Sequence, residues 1–560
     1  MRRGVSVVNK KVCSFPILFA LLTLLIGTCA VVFPASAQAA PTATGSITVS
    51  GTVASSYDAY QIFSANVVDG DSDAKIATDL AWASDAVRDA ALPVLHSAGM
   101  PNSQTTAQEA AEWLNADSHL TSALSAQLAR SLQSSGAEPV ALNAGTAAEL
   151  SCGYWLIVAD DDAIAQGEAG TAPIMALVGG SAVTVKPKAA TPKVAKHVLE
   201  DSTAAWQKAA DATVADDLYW RLSATVPAGL TAYDTYTVRF VDTMSAGLDP
   251  SKVAASMRVY AAAGADGGFD AVSCEGGNAN STPAKGWTDI TSQCKVSVDG
   301  NAFTVRTGDL IAALGGADAF AAGARVVAVY NAPLNSACNH GIAKGNPNEV
   351  YLRYPRSPFA DQSGDAGFTH TPSDDACAYT WDLALTKRGS DGDKPLAGAV
   401  LSIVDDRGRT LAADGTWDAE GKATVTTGED GRVTVSGVDS GKLEVRELKA
   451  PKGYTAFEGT RSVTVKAEGL DVDQVAAAKP KLTITAESPL RADSADGSTG
   501  SLEASLINTP TGTPPSITTG GFMPSTGDMA MYAAAAAAVA GAALIVVALL
   551  VKRGGGSHKE

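Results

Sequence analysis

Three runs near the end of the sequence alternate apolar with polar residues, and the inward set of each closes on one polar side chain. Leu383, Leu385 and Lys387 share a strand parity; so do Leu443, Val445 and Glu447, and so do Leu502, Ala504, Leu506 and Asn508. Side chains two apart on a strand face the same side, so each row aims one polar group at a core. A lysine, a glutamate and an asparagine buried together are costly unless they pair or react. Alternation recurs at Tyr219–Val226 and at 236–240. With 53 glycines among 560 residues, the chain reads as mainly β, short strands joined by turns, as in β-sandwiches.

The exception is an Ala-rich stretch at about 85–135, where Ala110, Trp113, Leu114 and Leu120 recur at helical spacing. The expected order is a first domain over 41–188, a β-domain with a helical insertion, then a second over 190–360 and a third over 379–510. A Pro/Thr/Gly-rich spacer follows over 511–522.

Both ends carry ordered signals. Arg2, Arg3, Lys10 and Lys11 precede an apolar run at about 15–32 and small residues at 35–40. That is the layout of a secretory signal peptide, residues 1–40, which is set aside from the fold. The last segment, 523–560, begins with Met523, Pro524, Ser525, Thr526 and Gly527. An apolar stretch at about 530–551, long enough to cross a bilayer, ends at Lys552 and Arg553.

Acidic residues outnumber basic ones, 59 to 42, for a net charge of -17. This argues against a nucleic-acid partner and for a self-repelling surface. The six histidines, at 96, 119, 197, 340, 370 and 558, make no H-E-x-x-H, and no G-x-S-x-G elbow is present. No C-x-x-C pair suggests zinc, so neither metal nor cofactor is expected. Outside the cell, cysteines can oxidise. Cys274 and Cys294 bracket a Gly/Asn-rich loop and are candidates to staple a hairpin. Cys338 and Cys377 flank a domain junction as a second candidate pair, and Cys152 is left over. Sequence alone does not fix the pairing.

The C-terminal trio resembles the LPxTG cell-wall sorting signal of Gram-positive bacteria, with Met523 in place of Leu. The resemblance implies that a sortase cleaves between Thr526 and Gly527 and passes Thr526 to an amine. The interior carries W-x-K-A-A-D at 206–211, V-D-T-M-S-A-G-L at 241–248 and G-N-P-N-E-V-Y-L-R-Y at 345–354. It also carries L-T-K at 385–387, P-L-A-G-A at 395–399 and L-x-V-x-E-L-x-A-P-x-G-Y at 443–454. These motifs resemble the isopeptide-forming domains of sortase-assembled backbone pilins. The resemblance implies tandem immunoglobulin-like (CnaB-type) β-sandwiches and a C-terminal transmembrane sorting helix.

Burial favours the neutral form of an ionisable group. Lys387 is then a nucleophile, and Glu447 as an acid can hydrogen-bond and polarise the Asn508 carboxamide. The resemblance assigns the same roles and implies a Lys387–Asn508 amide. The junction V-T-V-K-P-K at 183–188 resembles the pilin motif V-x-V-Y-P-K, which makes Lys188 the acceptor for the Thr of the next subunit. The expected function is the shaft subunit of a covalent surface pilus, with sortase, further copies and peptidoglycan as partners. The alternative is a monomeric wall-anchored adhesin binding a host surface ligand.

For the second domain, Lys196 and Asp242 match the family's lysine and catalytic carboxylate. Parity along Val350, Leu352 and Tyr354 places Arg356 at the position of the reacting Asn. Asn348 has the right parity but lies eight residues away, more than about 20 Å along a strand. The expectation is therefore that this domain lacks its bond and that Asp242 pairs with Lys196 or Arg356.

Overall fold

The computed structural model describes residues 43–512, apart from 72–73, 117, 171, 189–190 and 276–277. The expected signal peptide, sorting motif and apolar segment 530–551 lie outside the described residues. Among those described, no helix is long and apolar enough to cross a membrane. The chain is mainly β, in tandem units.

In chain order the first unit holds β1 (Thr44–Val49), β2 (Ser56–Asp69), β3 (Lys75–Trp82), α1 (Asp85–Ser97), α2 (Ala107–Asn115) and α3 (Ser122–Gln133). It continues with β4 (Val140–Asn143), β5 (Ala147–Ser151), β6 (Gly153–Ala159), β7 (Ile174–Val178) and β8 (Val183–Val185). One sheet runs β3-β2-β6-β7 with β4 also on β2; the other runs β5-β1-β8. Gly153 opens β6 at φ +141°, and a Cβ there would lie 2.0 Å from the Phe63 carbonyl oxygen, so glycine is required.

The three helices are the expected insertion. Ser84, Thr106 and Thr121 cap them by accepting backbone N–H groups, and Thr106 with Glu109 forms a reciprocal box. Ala91 and Leu95, Ala110 and Leu114, and Leu128 and Leu132 follow helical spacing and pack on Phe63, Leu156 and Val158 of the sheet.

The second unit packs two sheets face to face. One contains Lys193–Glu200, Tyr219–Val226, Ala324–Asn331 and Arg258–Ala263 in that spatial order. The other contains Asp374–Tyr379, Asn346–Pro355, Arg239–Met244 and Ala302–Arg306. Trp220, Tyr236, Phe240 and Tyr354 fill the space between. This unit extends past the expected boundary at 360, because Asp374–Tyr379 pairs with both Asn346–Pro355 and Ala209–Asp211.

In the third unit the strand Trp381–Gly389 pairs antiparallel with Arg432–Val438 and parallel with Ser501–Pro510. A second sheet, with Val400–Val404, Gly441–Lys449, Thr460–Glu468 and Lys481–Ala486 in order, covers its inner face. Trp381, Leu383, Leu385, Val445, Leu502 and Leu506 form the core between them. The first and last strands of the unit are thus immediate neighbours pointing the same way.

Hydrogen bonds join the units. Tyr354 Oη donates to the Gly167 carbonyl at 2.8 Å and Tyr233 Oη to that of Gly170 at 3.1 Å, linking the second unit to the first. Trp381 Nε1 of the third donates to Asp211 Oδ2 of the second at 2.6 Å.

All five described cysteines are free thiols, which corrects both disulfide expectations. Cys294 Sγ turns inward to the Ile290 carbonyl at 3.3 Å, while Cys274 belongs to a separate two-stranded ribbon. Cys338 Sγ faces His340 Nε2 at 3.6 Å, and Cys377 Sγ faces the Ala378 carbonyl at 3.7 Å. The Cys294, Cys338 and Cys377 thiols are each taken up locally. Burial pushes the Cys294, Cys338 and Cys377 thiols up to about 11.

Candidate functional site: two buried lysine–carboxylate–asparagine clusters

In the third unit, strand parity brings Lys387, Glu447 and Asn508 together. Lys387 lies on the first strand and Asn508 on the last; the parallel register sets Gly389 opposite Asn508 and Lys387 opposite Leu506. Glu447 comes from the facing sheet, where it pairs with Leu401. The Lys387 and Glu447 side chains are fully buried.

Lys387 Nζ donates to Asn508 Oδ1 and stands 3.1 Å from Glu447 Oε1. Asn508 Nδ2 donates to both Glu447 oxygens, at 2.9 and 3.1 Å. The Phe457 backbone N–H fixes Glu447 Oε2 at 3.0 Å. Burial lowers the Lys387 amine to about 8, against the opposing pull of Glu447. The geometry refines one expectation. Glu447 contacts the amide nitrogen, the atom that would leave, and the carbonyl oxygen faces the lysine.

The second unit holds a parallel arrangement. Lys196, Asp242 and Asn348 are each fully buried. Lys196 Nζ donates to Asp242 Oδ2, and to the Tyr330 hydroxyl at 2.9 Å. Asn348 Nδ2 donates to the same hydroxyl at 2.8 Å, and Tyr330 Oη donates to Asp242 Oδ2 at 3.2 Å. Asn348 Oδ1 and Asp242 Oδ1 are buried with no hydrogen-bond partner. Burial lowers Lys196 to about 8 and raises Asp242 to about 6, while their mutual attraction opposes both shifts.

This overturns the expectation for Arg356. Its guanidinium sits at the contact with the first unit, donating to the Asp161 carbonyl at 3.2 Å. The inward row of Asn346–Pro355 carries its polar residues, Asn346 and Asn348, at the start of the strand. The antiparallel register sets Val350 opposite Asp242 and Asn348 opposite Met244, two residues from the acid on the same face. Sequence reasoning missed Tyr330 because an aromatic in an apolar strand reads as core. It missed Asn348 because the row was followed toward its wrong end. No change of register is needed to present Asn348.

Lys188 is exposed and follows β8 by three residues. The preceding Val185 is buried, and its carbonyl accepts the Ser50 backbone N–H at 2.8 Å. Lys186 and Lys193 are exposed as well.

The third unit can now be compared with known proteins. Residues 382–479 match the SpaA family, a prealbumin-like fold domain. The SpaA-type match contains Lys387 and Glu447 and stops before the strand that carries Asn508. Over 143 residues the chain is 30% identical to the trypsin-resistant surface T6 protein of Streptococcus pyogenes serotype M6, covering 24% of each protein. The match therefore spans about a quarter of that curated relative's length. Among solved structures, the chain is similar to the T6 backbone pilin of serotype M6 Streptococcus pyogenes: 17% identity, 84% of this chain and 98% of that one, TM-score 0.45. It is also similar to the full-length major pilin SpaD from Corynebacterium diphtheriae: 15% identity, 83% and 98% covered, TM-score 0.40.

Proposed function

We propose that this chain is the shaft subunit of a covalent, sortase-assembled surface pilus, anchored to the cell wall of a Gram-positive bacterium. The observation that carries the reading is the buried Lys387–Glu447–Asn508 cluster, which bridges the first and last strands of one sandwich. A self-formed cross-link there suits a subunit pulled from both ends.

In the proposed reaction, the neutral Lys387 amine attacks Asn508 Cγ. A new N–C bond forms and the C–Nδ2 bond breaks. Glu447 takes a proton from the attacking nitrogen and delivers it to Nδ2, which leaves as ammonia. Lysine amine and carboxamide become one secondary amide and one ammonia, with no external reagent. The second unit offers the same chemistry with Lys196 as nucleophile, Asn348 as acceptor and Asp242 as proton carrier, relayed by Tyr330.

Between subunits, the acceptor is Lys188 and the donor is Thr526, after cleavage before Gly527 by a sortase. Boiled wall extracts should give a ladder of high-mass bands on an immunoblot, and Lys188→Arg should collapse it to monomer. A single wild-type band would favour the monomeric adhesin; a full ladder from Lys188→Arg would move the acceptor to Lys186 or Lys193.

A further inference from the structure

Lys208, the lysine of the W-x-K-A-A-D motif, stands where the chain crosses between the two sheets of the second unit. Ala205–Gln207 pairs with Lys193–Glu200 in one sheet, and Ala209–Asp211 pairs with Asp374–Tyr379 in the other. The ladder on that side of Lys193–Glu200 therefore stops where Gln207 faces Val198, two residues short of Lys196. On its other side Lys196 lies opposite Leu222. Lys196 is fully buried, so its backbone N–H and C=O need partners where the ladder has ended.

An ion pair supplies both. Asp374 Oδ2 accepts the Lys196 N–H at 2.6 Å, and Lys208 Nζ donates to the Lys196 carbonyl at 2.8 Å. Lys208 Nζ also donates to Asp374 Oδ2, and to the Asp375 carbonyl at 3.2 Å. The Lys208 side chain is buried and that of Asp374 partly so. Taking two charges out of water opposes their mutual attraction, so stability alone is a poor reason to place a charged pair here. The third unit meets the same need with main chain. There the Lys387 N–H donates to the Gly431 carbonyl at 2.8 Å, and the Lys387 carbonyl accepts the Leu396 N–H at 2.9 Å.

We infer that Lys208 and Asp374 are positioning residues for the second unit's cross-link: they hold the backbone of Lys196 and so aim its amine at Asp242, Tyr330 and Asn348. The inference rests on the reading of Lys196 and Asn348 as reactants. Misplacing a nucleophile by a fraction of its bonding distance slows attack steeply. The pair also acts through charge. Asp242, the Tyr330 hydroxyl and the Trp220 ring face the Lys196 amine within the core. Through the backbone side, the Lys208 charge favours the neutral, attacking amine, and the charges of Asp242 and Asp374 oppose it. Asp374 opens the last strand of the unit, which sets Ala376 opposite Asn348. One strand thus completes the clamp on the nucleophile and pairs with the strand of the acceptor.

The test follows the full chain through cell-free synthesis at pH 6 to 9, with tryptic mass spectrometry timing the branched Lys196–Asn348 peptide. The Lys387–Asn508 peptide of the same molecules is the internal control. Lys208→Met should form the second-unit bond about tenfold more slowly at neutral pH, with the midpoint of its pH–rate profile moved up. Asp374→Asn keeps an oxygen for the Lys196 N–H, and its midpoint should move down. The control bond should form at the wild-type rate in both variants. Circular dichroism reports whether Lys208→Met folds, and the midpoint of Asp374→Asn decides the matter if it does not. Wild-type rates and midpoints in both variants would overturn the inference and leave the cross-link standing. So would unmoved midpoints with both bonds slowed alike. Absence of the branched peptide from the wild-type chain would remove the cross-link and the inference with it.

Discussion

Asn348 gives its carboxamide N–H to the Tyr330 hydroxyl at 2.8 Å, while its own carbonyl oxygen is buried without a partner. A buried acceptor left unmade costs about 1–3 kcal/mol. Lys196 shares the same hydroxyl at 2.9 Å. The two proposed reactants therefore meet on one phenol. Tryptic mass spectrometry of the intact protein should find a branched peptide joining Lys196 to Asn348, one ammonia lighter than the sum of its parts. Tyr330→Phe should slow its formation, and Asp242→Ala should prevent it. Separate, unmodified Lys196 and Asn348 peptides from the wild-type protein would refute the assignment.

The third unit should carry a Lys387–Asn508 amide. The intact mass of the chain should fall by one ammonia for this bond and by another for the second unit's. Glu447→Ala should restore one of them. Its loss should also destabilise the third unit, because a cross-link closing a loop of roughly 100 residues contributes about 4–5 kcal/mol in the chain-entropy model. That corresponds to a drop on the order of 10–20 °C in its melting transition. An unchanged mass in Glu447→Ala would show that the carboxylate is not required.

Bond formation should depend on pH through the nucleophile. Burial holds the Lys387 amine at about 8. Only the neutral amine attacks, so the rate in freshly synthesised chain should rise nearly tenfold per pH unit below about 8 and level off above it. Mass spectrometry after a fixed time in cell-free synthesis at several pH values reads this directly. A rate flat from about pH 6 to 8 would contradict the lysine's place in the slow step.

Stability of the second unit should fall in acid through His197. Burial, then the charges of Arg221 and Lys208, lower this imidazole to about 4 from 6.5, against the opposing pull of Asp374. Between those values the unfolded chain binds the proton and the folded chain does not. Stability is therefore present above about 6.5 and is lost as pH falls through the window toward 4. His197→Gln should flatten that slope in denaturant titrations. A slope equal to wild type would assign the acid sensitivity to other groups.

The sequence announced the third-unit cluster because period-two parity marks which residues share a face, and three rows each closed on one polar residue. Lys196 and Asp242 were visible through the resemblance, as the family's lysine and carboxylate. Asn348 was not, since parity gives the face of a residue and not which end of a strand meets a given partner. That depends on the antiparallel pairing of Asn346–Pro355 with Arg239–Met244. The tandem mainly β architecture and the helical insertion followed from alternation and spacing. The contacts of Arg130, Tyr233 and Tyr354 with neighbouring segments join residues over 60 to more than 200 positions apart, and no local pattern encodes them.

The passage from the second unit to the third is a single residue. The strand Asp374–Tyr379 ends, Thr380 intervenes with its hydroxyl on the Val438 carbonyl, and the strand Trp381–Gly389 begins. Beside it, Asp211 receives the Trp381 indole and the Ser440 hydroxyl, and Asp216 receives Arg407 and Arg409. A joint with no slack, braced on its flank, resists flexing and twisting as a hinge cannot. Two sandwiches so coupled should move as one beam, and in the proposed pilus any curvature would be taken up elsewhere along its length.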